Sequence, residues 1–369
     1  MTQASNSNKR YPYEPDYAVA PGCTLQETIN SLGIDQRELA LRAGLSAKHV
    51  NQIIMGIVPL TQDTAIRLER VTGVPARMWN NLESQYREQV ARLEAGEFLD
   101  RDLAWLKGIP TKELISRKVI QETCDPPSLL EEVLRFFGVA TVNAWKQGWE
   151  TPQFAFRKSL SFKGKVGAMA TWLRLCETEA QKATCAQFDK AKFRSELQAI
   201  RGLTVKGPDV FVPQMLTRCA SAGVAVALVP EIKGAPVNGA AKWLTPDKAL
   251  IGLNLRGKYN DRFWFTFFHE AGHILNDSKK ETFIDVEYED DPREQGANHF
   301  AASLLIPSPV DQELPRLTMY KAVDAFARKI GIAPGIVVGR LQREQIIDYS
   351  QFNGLKQRLQ WADAECLRY

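Results

Sequence analysis

The sequence lacks the features of a membrane or secreted protein. No run approaches the ~18–20 uncharged apolar residues needed to span a bilayer. The first residues, MTQASNSNKRYPYEPDY, lack the apolar centre of a signal peptide. The six cysteines form no CxxC pair, and a chain of this length needs no disulfides to hold a core. We therefore expect a cytoplasmic protein with reduced thiols and no membrane partner.

An excess of charge of one sign is also lacking. The 47 basic and 43 acidic residues give a net charge of +4, which is too balanced to identify a nucleic-acid binder. Any argument for DNA binding must therefore rest on a local motif. Histidine is scarce: only His49, His269, His273 and His299 occur. With 44% hydrophobic and 24% charged residues among 369, the composition is that of a globular protein of two or three domains.

Changes in the hydrophobic pattern divide the chain into segments. The period is helical up to about residue 204, and then the runs AGVAVALVP and ALIGLNL predict strands. We expect an α+β fold class with an all-α N-terminal domain, a helical connecting region and a small α+β domain. The predicted segments are a polar tail (1–20), an all-α domain (21–90), a helical connecting region with a small core of its own (91–204), an α+β domain (205–345) and a C-terminal tail (346–369).

The segment 36–55 has the spacing of a helix-turn-helix motif. Ala40 occupies the position where two such helices cross most closely, and Gly44 suits the turn because a positive φ costs glycine little. Val50 would pack the second helix onto the first. The predicted helices are DQRELALRA and SAKHVNQIIM, with Ser46 as the N-cap of the second.

The N-terminal residues of the second helix face base edges in this geometry. Here they include Ser46, Lys48, Asn51 and Gln52, and we predict these four as DNA contacts. Lysine suits guanine, whereas asparagine and glutamine suit adenine. His49 is interpreted as a boundary residue of the helix. The alternative is a small helical bundle that serves dimerisation and does not contact DNA.

Two stretches in this region, PGCTLQETINSLGIDQRELALRAGLSAKHVNQIIMG and PLTQDTAIRLERVTGVPARMWNNLES, resemble the HigA family of plasmid-maintenance antitoxins. HigA proteins are helix-turn-helix proteins of the XRE/Cro type. The resemblance implies a homodimer that binds operator DNA near its own gene, and it makes a cognate toxin a candidate partner. The same module also occurs in plain regulators.

The second motif is His269-Glu270-Ala271-Gly272-His273, at the end of an apolar helical stretch. Residues four apart share one face of a helix, so both imidazoles can reach one metal ion. Glu270 then stands beside the metal, where it can take a proton from a bound water. The alternative is a structural helix with two buried histidines.

A catalytic zinc site needs a third protein ligand and an open fourth position. The candidates lie in the acidic segment IDVEYEDDPREQGANHF and are Asp285, Glu287, Glu289, Asp290, Asp291 and Glu294. Glu289 is the next choice if Glu294 proves not to be a ligand. Pro292 is predicted to open the next helix with Asp291 as its cap. Glu294 could then close a capping box, which is a competing structural role. In its favour as a ligand, Glu294 shares a helix face with small residues that would allow close packing on the His269 helix.

The stretches NGAAKWLTPDKALIGLNLRGKYNDRFWFTFFHEAGHIL and EQGANHFAASLLIP resemble the ImmA/IrrE family of metallo-endopeptidases. The resemblance implies that His269, His273 and Glu294 hold Zn²⁺ and that Glu270 is the catalytic base. The family often has an acidic residue directly before the Ala-Asn pair, where this chain has Gly296. His299 occupies a variable position of the motif and is interpreted as a residue at the rim of the site.

Together the two motifs predict a DNA-binding regulator that carries a zinc endopeptidase domain. The resemblance implies a repressor-like or toxin-linked protein substrate, and an edge strand could align it by main-chain pairing. One alternative is an antitoxin or autorepressor whose metal site is structural. Another is a peptidase whose helix-turn-helix binds a second regulator instead of DNA. Tyr288 and His299 are the candidates for stabilising the oxyanion.

Overall fold

The computed structural model describes residues 18–150, 166–279, 282–285, 292–363 and 366–368. The chain forms two compact units, one up to Leu103 and one from Ala104 onward. The described part of the first unit is helical, and the second combines helices with a small mixed sheet, which confirms the α+β fold class. The finer segment boundaries stay a prediction. Among the described residues, no helix is both long and apolar enough to cross a membrane.

The described part of the N-terminal unit consists of four helices of 8 to 11 residues and a fifth of 27 residues, packed around one apolar core. Its core residues include Leu39, Val50 and Trp79, all fully buried. Because each helix alternates buried and exposed positions at helical spacing, the helices enclose this core and leave polar side chains outside. The helices are α1 (Pro21–Ser31), α2 (Gln36–Ala43), α3 (Ala47–Ile54), α4 (Gln62–Thr72) and α5 (Ala76–Asp102).

The predicted helix-turn-helix is confirmed as α2 and α3. The predicted helix contact is also present, because Ala40 and Val50 are both buried in the unit's core. Gly44 ends α2 with a φ of 64°, in the left-handed region that favours glycine. The Ser46 hydroxyl accepts a hydrogen bond from the backbone N–H of His49 at 3.1 Å, which satisfies one free donor of α3.

The C-terminal unit contains the remaining elements. Its helices before the sheet are α6 (Thr111–Ser116), α7 (Pro126–Phe137), α8 (Val142–Glu150), α9 (Val166–Lys182), α10 (Lys190–Arg201) and α11 (Pro208–Ser221). Those after the first strands are α12 (Asn260–Asn276), α13 (Pro292–Leu305), α14 (Tyr320–Ile330) and α15 (Pro334–Arg343). The strands are β1 (Val224–Leu228), β2 (Gly239–Thr245), β3 (Lys248–Leu253), β4 (Thr282–Asp285), β5 (Gln360–Asp363) and β6 (Cys366–Arg368).

Four strands form the main sheet in the order β1-β3-β2-β4. β1 runs parallel to β3, whereas β2 is antiparallel to both β3 and β4. The strands predicted from AGVAVALVP and ALIGLNL are confirmed as β1 and β3. Strand β2, which directly precedes Pro246 and Asp247, was not predicted, nor were β4 and the β5–β6 pair.

Helices cover both faces of this sheet. Side chains alternate along the strands, so Ala225 and Leu250 pack with α9 on one face. Val224 and Ile251 pack with α10, α11 and α12 on the other face. This alternation is the period of two that a strand imposes on its side chains. Helix α12, which carries His269 and His273, is therefore fixed against an apolar sheet face.

The region before the sheet differs from the expectation of a small core of its own. Helix α9 packs directly on β1 and β3, and Trp172 donates its indole N–H to the Val229 carbonyl at 3.1 Å. The physical reason is that residues 167–173 are buried on all sides, so α9 needs apolar partners on more than one face. Ile347 and Leu359, from the predicted C-terminal tail, are likewise buried in the core around α12.

Helices α12 and α13 pack closely through small residues. A Cβ at Gly272 would lie 3.2 Å from the Cα of Ala297, so glycine permits this approach. Arg201 donates hydrogen bonds to the carbonyls of Leu305 and Ile330, the last residues of α13 and α14. A cation at a helix C-terminus satisfies otherwise free carbonyls, so Arg201 helps to hold α13 in place.

Candidate functional site

The histidine-bearing helix α12 buries its polar motif. His269, Glu270 and His273 are exposed by 3%, 0% and 2% of their surface. Polar side chains are rarely buried this deeply without a partner, because burial strips them of water. The helix is anchored in the core by its own aromatic side chains, including Trp264 and Phe267, which are fully buried. The apolar packing of α12 thus offsets the free-energy cost of burying these polar side chains.

Glu294, in the first turn of α13, meets both histidines. Its carboxylate oxygens lie 3.0 Å from Nε2 of His269 and 3.4 Å from Nε2 of His273. The two Nε2 atoms are 3.1 Å apart. The three side chains can offer one ligand atom each, all within 4.8 Å of one another, so they could hold a metal ion. Pro292 opens α13, as predicted.

The electrostatics of this group favour an ionised carboxylate. Burial alone would raise the pKa of Glu294, but hydrogen bonds from His269 and His273 outweigh it and lower the pKa to about 2. Burial would lower the pKa of His273, but its contacts with Asp277 and Glu294 raise this pKa to about 10. A carboxylate is the form of glutamate that binds a metal ion, so Glu294 is ready to act as a ligand at neutral pH.

The ring of His273 is fixed from two further sides. Its Nδ1 lies 2.7 Å from a carboxylate oxygen of Asp277, four residues later at the end of α12. The ring also stacks on Phe283 of β4, with centroids 4.2 Å apart and planes 8° apart. A carboxylate on the outer nitrogen of a histidine orients its other nitrogen toward a metal. The sequence analysis did not single out Asp277, although its spacing of four from His273 was visible.

Glu270 lies against the first residue of β2. A Cβ at Gly239 would stand 2.6 Å from its Oε1 and 2.6 Å from the Thr266 methyl group. Only glycine leaves room there for the carboxylate, so Gly239 helps to set its position. This role was not visible in the sequence, since it depends on how β2 meets α12.

A cavity of about 760 Å³ opens beside the histidine and glutamate side chains. His269 and Glu294 line it at one end, and residues of α12 and α15 line its walls. This volume is within the range of small-molecule and peptide side-chain sites. Of the three clustered side chains, His269 and Glu294 can therefore be reached from a space large enough to admit part of another molecule.

Of the other residues predicted for this site, His299 is described and does not join the cluster. His299 is exposed on α13, where its Nε2 lies 3.4 Å from the Ser303 hydroxyl. Glu287, Tyr288, Glu289, Asp290 and Asp291 lie outside the described residues. Of the candidates for a third ligand that the structure describes, Glu294 is the one grouped with the two histidines.

The second candidate surface is the start of α3. Ser46, Lys48 and Asn51 are exposed there, and Gln52 is half-buried. Lys48 is near the helix N-terminus and Asn51 follows one turn later, so both side chains can project from one face. This is the arrangement in which side chains reach base edges in the major groove. His49 is half-buried, as a boundary residue should be.

Two further residues of the N-terminal unit support this surface. Asn51 donates to the Gln36 amide oxygen at 3.3 Å, and Gln36 donates in turn to Gln26 at 2.8 Å. Arg67 donates to the Gly44 carbonyl in the turn at 3.2 Å and pairs with Asp63 at 2.7 Å. These contacts connect α3 and its turn to the neighbouring helices. The sequence analysis did not predict Gln36, because its link to Asn51 depends on the helix packing.

Comparison with known families assigns both units. The helix-turn-helix family matches residues 25–79. A peptidase family described as the IrrE N-terminal-like domain matches residues 229–342, which include His269, Glu270, His273 and Glu294.

Individual relatives resemble the N-terminal region. An uncharacterized HTH-type transcriptional regulator, YddM of Escherichia coli, is 30% identical over 66 residues, which are 18% of this chain and 70% of that protein. Virulence-associated protein I of Dichelobacter nodosus is 33% identical over 70 residues, 19% of this chain and 65% of its own length. The solved structure of Pseudomonas aeruginosa antitoxin HigA with the higBA promoter is 30% identical, covering 23% of this chain and 94% of that one, with a TM-score of 0.22. The chain thus belongs to the helix-turn-helix regulators through its N-terminal unit and carries an IrrE-like peptidase-family domain in its C-terminal unit.

Proposed function

We propose that this protein is a DNA-binding regulator and a zinc-dependent endopeptidase that cleaves a regulatory protein. The observation that carries the enzymatic part is the buried group of His269, His273 and Glu294 with Glu270 beside it. Two histidines and one carboxylate are a ligand set of catalytic zinc sites, which keep a fourth position open. The peptidase-family match over 229–342 supports the same assignment.

The donor set fits zinc in chemistry and spacing. Zinc bonds to histidine nitrogen and carboxylate oxygen are about 2.0–2.2 Å long, so ligand atoms around a tetrahedral ion stand roughly 3.3 Å apart. The contacts among the three side chains measure 3.0, 3.1 and 3.4 Å. His269, His273 and Glu294 would therefore hold the ion, and Asp277 would orient His273.

The protein's own residues supply the acid–base chemistry. A bound zinc ion lowers the pKa of water and polarises a carbonyl group. The carboxylate of Glu270 would accept the proton of the attacking water and would deliver it to the nitrogen of the leaving amine. Its burial beside Gly239 keeps bulk water away and fixes its direction.

The substrate is proposed to bind in an extended form along β4. In the described sheet β4 is an outer strand, paired on one side with β2, and its Phe283 stacks on His273. An extended peptide can add to such an edge by main-chain hydrogen bonds. The substrate class, a repressor-like or toxin-linked protein, belongs to this proposal.

For the N-terminal unit we propose operator recognition by α3, with Ser46, Lys48, Asn51 and Gln52 as the contacts. The exposure of these side chains and the helix-turn-helix match support it. A homodimer would place two copies of α3 in successive major grooves. A cognate toxin is the further partner that this proposal includes.

The experiment compares whole proteomes of cells that make the wild-type chain or Glu270→Gln, with protein termini identified by mass spectrometry. The expected result is a cleavage product that depends on Glu270. The control Glu131→Gln makes the same chemical change at an exposed position of α7 and should keep the product. If both profiles match while operator occupancy is normal, the chain is instead an antitoxin or autorepressor with a structural metal site.

A further inference from the structure

Four asparagines among the described residues line the cavity beside the candidate metal site, and two of them hold loops of the fold. Asn254 donates a hydrogen bond to the Val237 carbonyl at 2.8 Å and accepts one from the backbone N–H of Arg256 at 3.0 Å. Asn353 donates to the Tyr349 carbonyl at 2.8 Å. The amides of Asn254 and Asn353 are therefore engaged within the protein.

The other two, Asn238 and Asn298, are each next to a residue of the candidate site. Asn238 directly precedes Gly239, against which the Glu270 carboxylate lies. Asn298 follows Glu294 by one turn of α13, so the two share a helix face. Both asparagines are half-buried, and among the described residues neither side-chain amide has a hydrogen-bond partner. Each amide thus keeps its two N–H donors and its oxygen acceptor for a molecule that enters the cavity.

The backbone that carries each amide is fixed by its surroundings. The hydrogen bond from Asn254 holds the Val237 carbonyl, which belongs to the peptide group that leads into Asn238. Ala297, which precedes Asn298, is buried close to Gly272 of α12. A side chain on a rigid element loses less conformational freedom when it binds a ligand. The two amides are therefore well placed to bind a ligand.

An asparagine amide matches the main chain of an extended peptide. The N–H and C=O groups of one residue in an extended chain point to the same side, so one amide can pair with both. Gly239 pairs with Asp285, the last residue of β4, which places Asn238 at the end of the strand proposed to align the substrate. Contacts of this kind recognise peptide groups and are indifferent to side chains.

We propose that Asn298 and Asn238 bind the main chain of the substrate beside the cleaved bond. The proposal rests on the peptidase function argued above. Each amide donates an N–H to a peptide carbonyl oxygen and accepts a hydrogen bond from a peptide N–H. The substrate must therefore present free N–H groups at both positions, which disfavours proline there because proline has none.

The test measures the binding of hydroxamates to the full chain loaded with zinc, by calorimetric titration. Acetohydroxamate is the reference probe, since it can bind the metal ion but carries no peptide. Two further probes attach the hydroxamate to the C-terminal or the N-terminal end of a capped alanine dipeptide, so that the peptide extends in either direction. At least one dipeptide probe should bind roughly tenfold more tightly than acetohydroxamate. Methylation of its peptide nitrogens should remove most of this gain.

Asn298→Leu and Asn238→Leu keep the size of the side chain and remove its hydrogen bonds. Each should reduce the gain of a dipeptide probe by roughly threefold to tenfold. Methylation of the peptide nitrogen that the lost amide would contact should then have little further effect. The matched control is Asn143→Leu, the same change at an exposed position of α8 outside the cavity, which should keep the full gain. Zinc content and affinity for acetohydroxamate should stay at the wild-type level in all three variants.

The competing role for Asn298 is to hold the ring of His269, whose Nδ1 is buried without a hydrogen-bond partner among the described residues. Asn298→Leu would then lower zinc content and the affinity for acetohydroxamate, and this result would overturn the main-chain role. A gain that both leucine variants retain, or no gain in the wild-type chain, would also overturn it. If the gain depends on the asparagines but the chain cleaves no member of a random decapeptide library, main-chain binding stands and the peptidase function fails.

Discussion

Helices α3 and α12 display their polar side chains in opposite ways. On α3 the proposed base contacts Ser46, Lys48 and Asn51 are exposed, whereas on α12 His269 and His273 are buried. An exposed polar residue is compatible with many roles, since most surfaces are polar. A buried one costs free energy unless its partners are supplied. The candidate metal site is therefore recognised by its own geometry, while the candidate DNA-contacting surface is recognised chiefly by the fold that carries it.

This difference predicts how each region responds to substitution. Removing a buried ligand leaves other buried polar groups without a partner, so metal binding and local structure change together. Removing an exposed side chain of α3 changes contacts with a partner and leaves the fold intact.

The largest effect is expected for ligand removal. His273→Ala and Glu294→Gln should each reduce bound zinc from one equivalent toward zero after dialysis, because each takes away one of three protein ligands. Elemental analysis of the purified chains measures this. If Glu294 serves only as a capping residue, Glu294→Gln would keep its zinc and lose about 1 kcal/mol or less of stability. Full zinc occupancy in Glu294→Gln would therefore indicate that the third ligand is another residue of the acidic segment, and Glu289 is the next candidate.

A smaller effect is expected at Gly239. The added methyl group of Gly239→Ala would meet Oε1 of Glu270 and displace it. A shift of about 1 Å in a catalytic group can cost up to about a hundredfold in rate, so we expect a tenfold to hundredfold loss of turnover with zinc retained. Gly202→Ala is the control, since no atom lies within 4 Å of its added Cβ. Equal turnover in both variants would show that Gly239 does not set the position of Glu270.

The smallest effect is expected for the exposed side chains of α3. Lys48→Ala and Asn51→Ala should each cost about 1–3 kcal/mol of binding to the DNA upstream of the gene, with no change in zinc or turnover. The readout is the ratio of affinities for that DNA and a scrambled duplex. The control Arg77→Ala removes one positive charge, as Lys48→Ala does, from an exposed position of α5. It should leave the ratio of affinities unchanged. A footprint that neither α3 variant alters would refute the recognition helix.

The helix-turn-helix could be predicted almost completely from sequence, because its signals are local. The Ala40, Gly44 and Val50 spacing and the Ser46 cap all lie within eleven residues, and each one acts through a neighbouring turn. At the candidate metal site, the spacing of four residues between His269 and His273 predicts that both share one face of a helix. Glu294 could be selected among the acidic residues only through the family resemblance. It lies 21 residues after His273, and no local sequence signal connects the two.

The remaining features depend on long-range packing. Strand β2, GAAKWLT, is rich in residues with low strand propensity, and its pairing with β3 and β4 decides its conformation. Gly239 matters because that pairing brings it to Glu270. Helix α9 is apolar on several faces, so its pattern predicts burial but not the sheet as its partner. Sequence periodicity predicts which side chains are buried more reliably than it predicts the elements against which they pack.

The central claim is that metal binding and proton transfer are separate roles of adjacent residues on α12. The most direct test measures zinc content and peptide turnover together on purified Glu270→Gln. Zinc should remain near one equivalent, because the three ligands are intact. Turnover should fall by about a hundredfold or more, since the proton acceptor is gone. Undiminished turnover with zinc bound would contradict the mechanism.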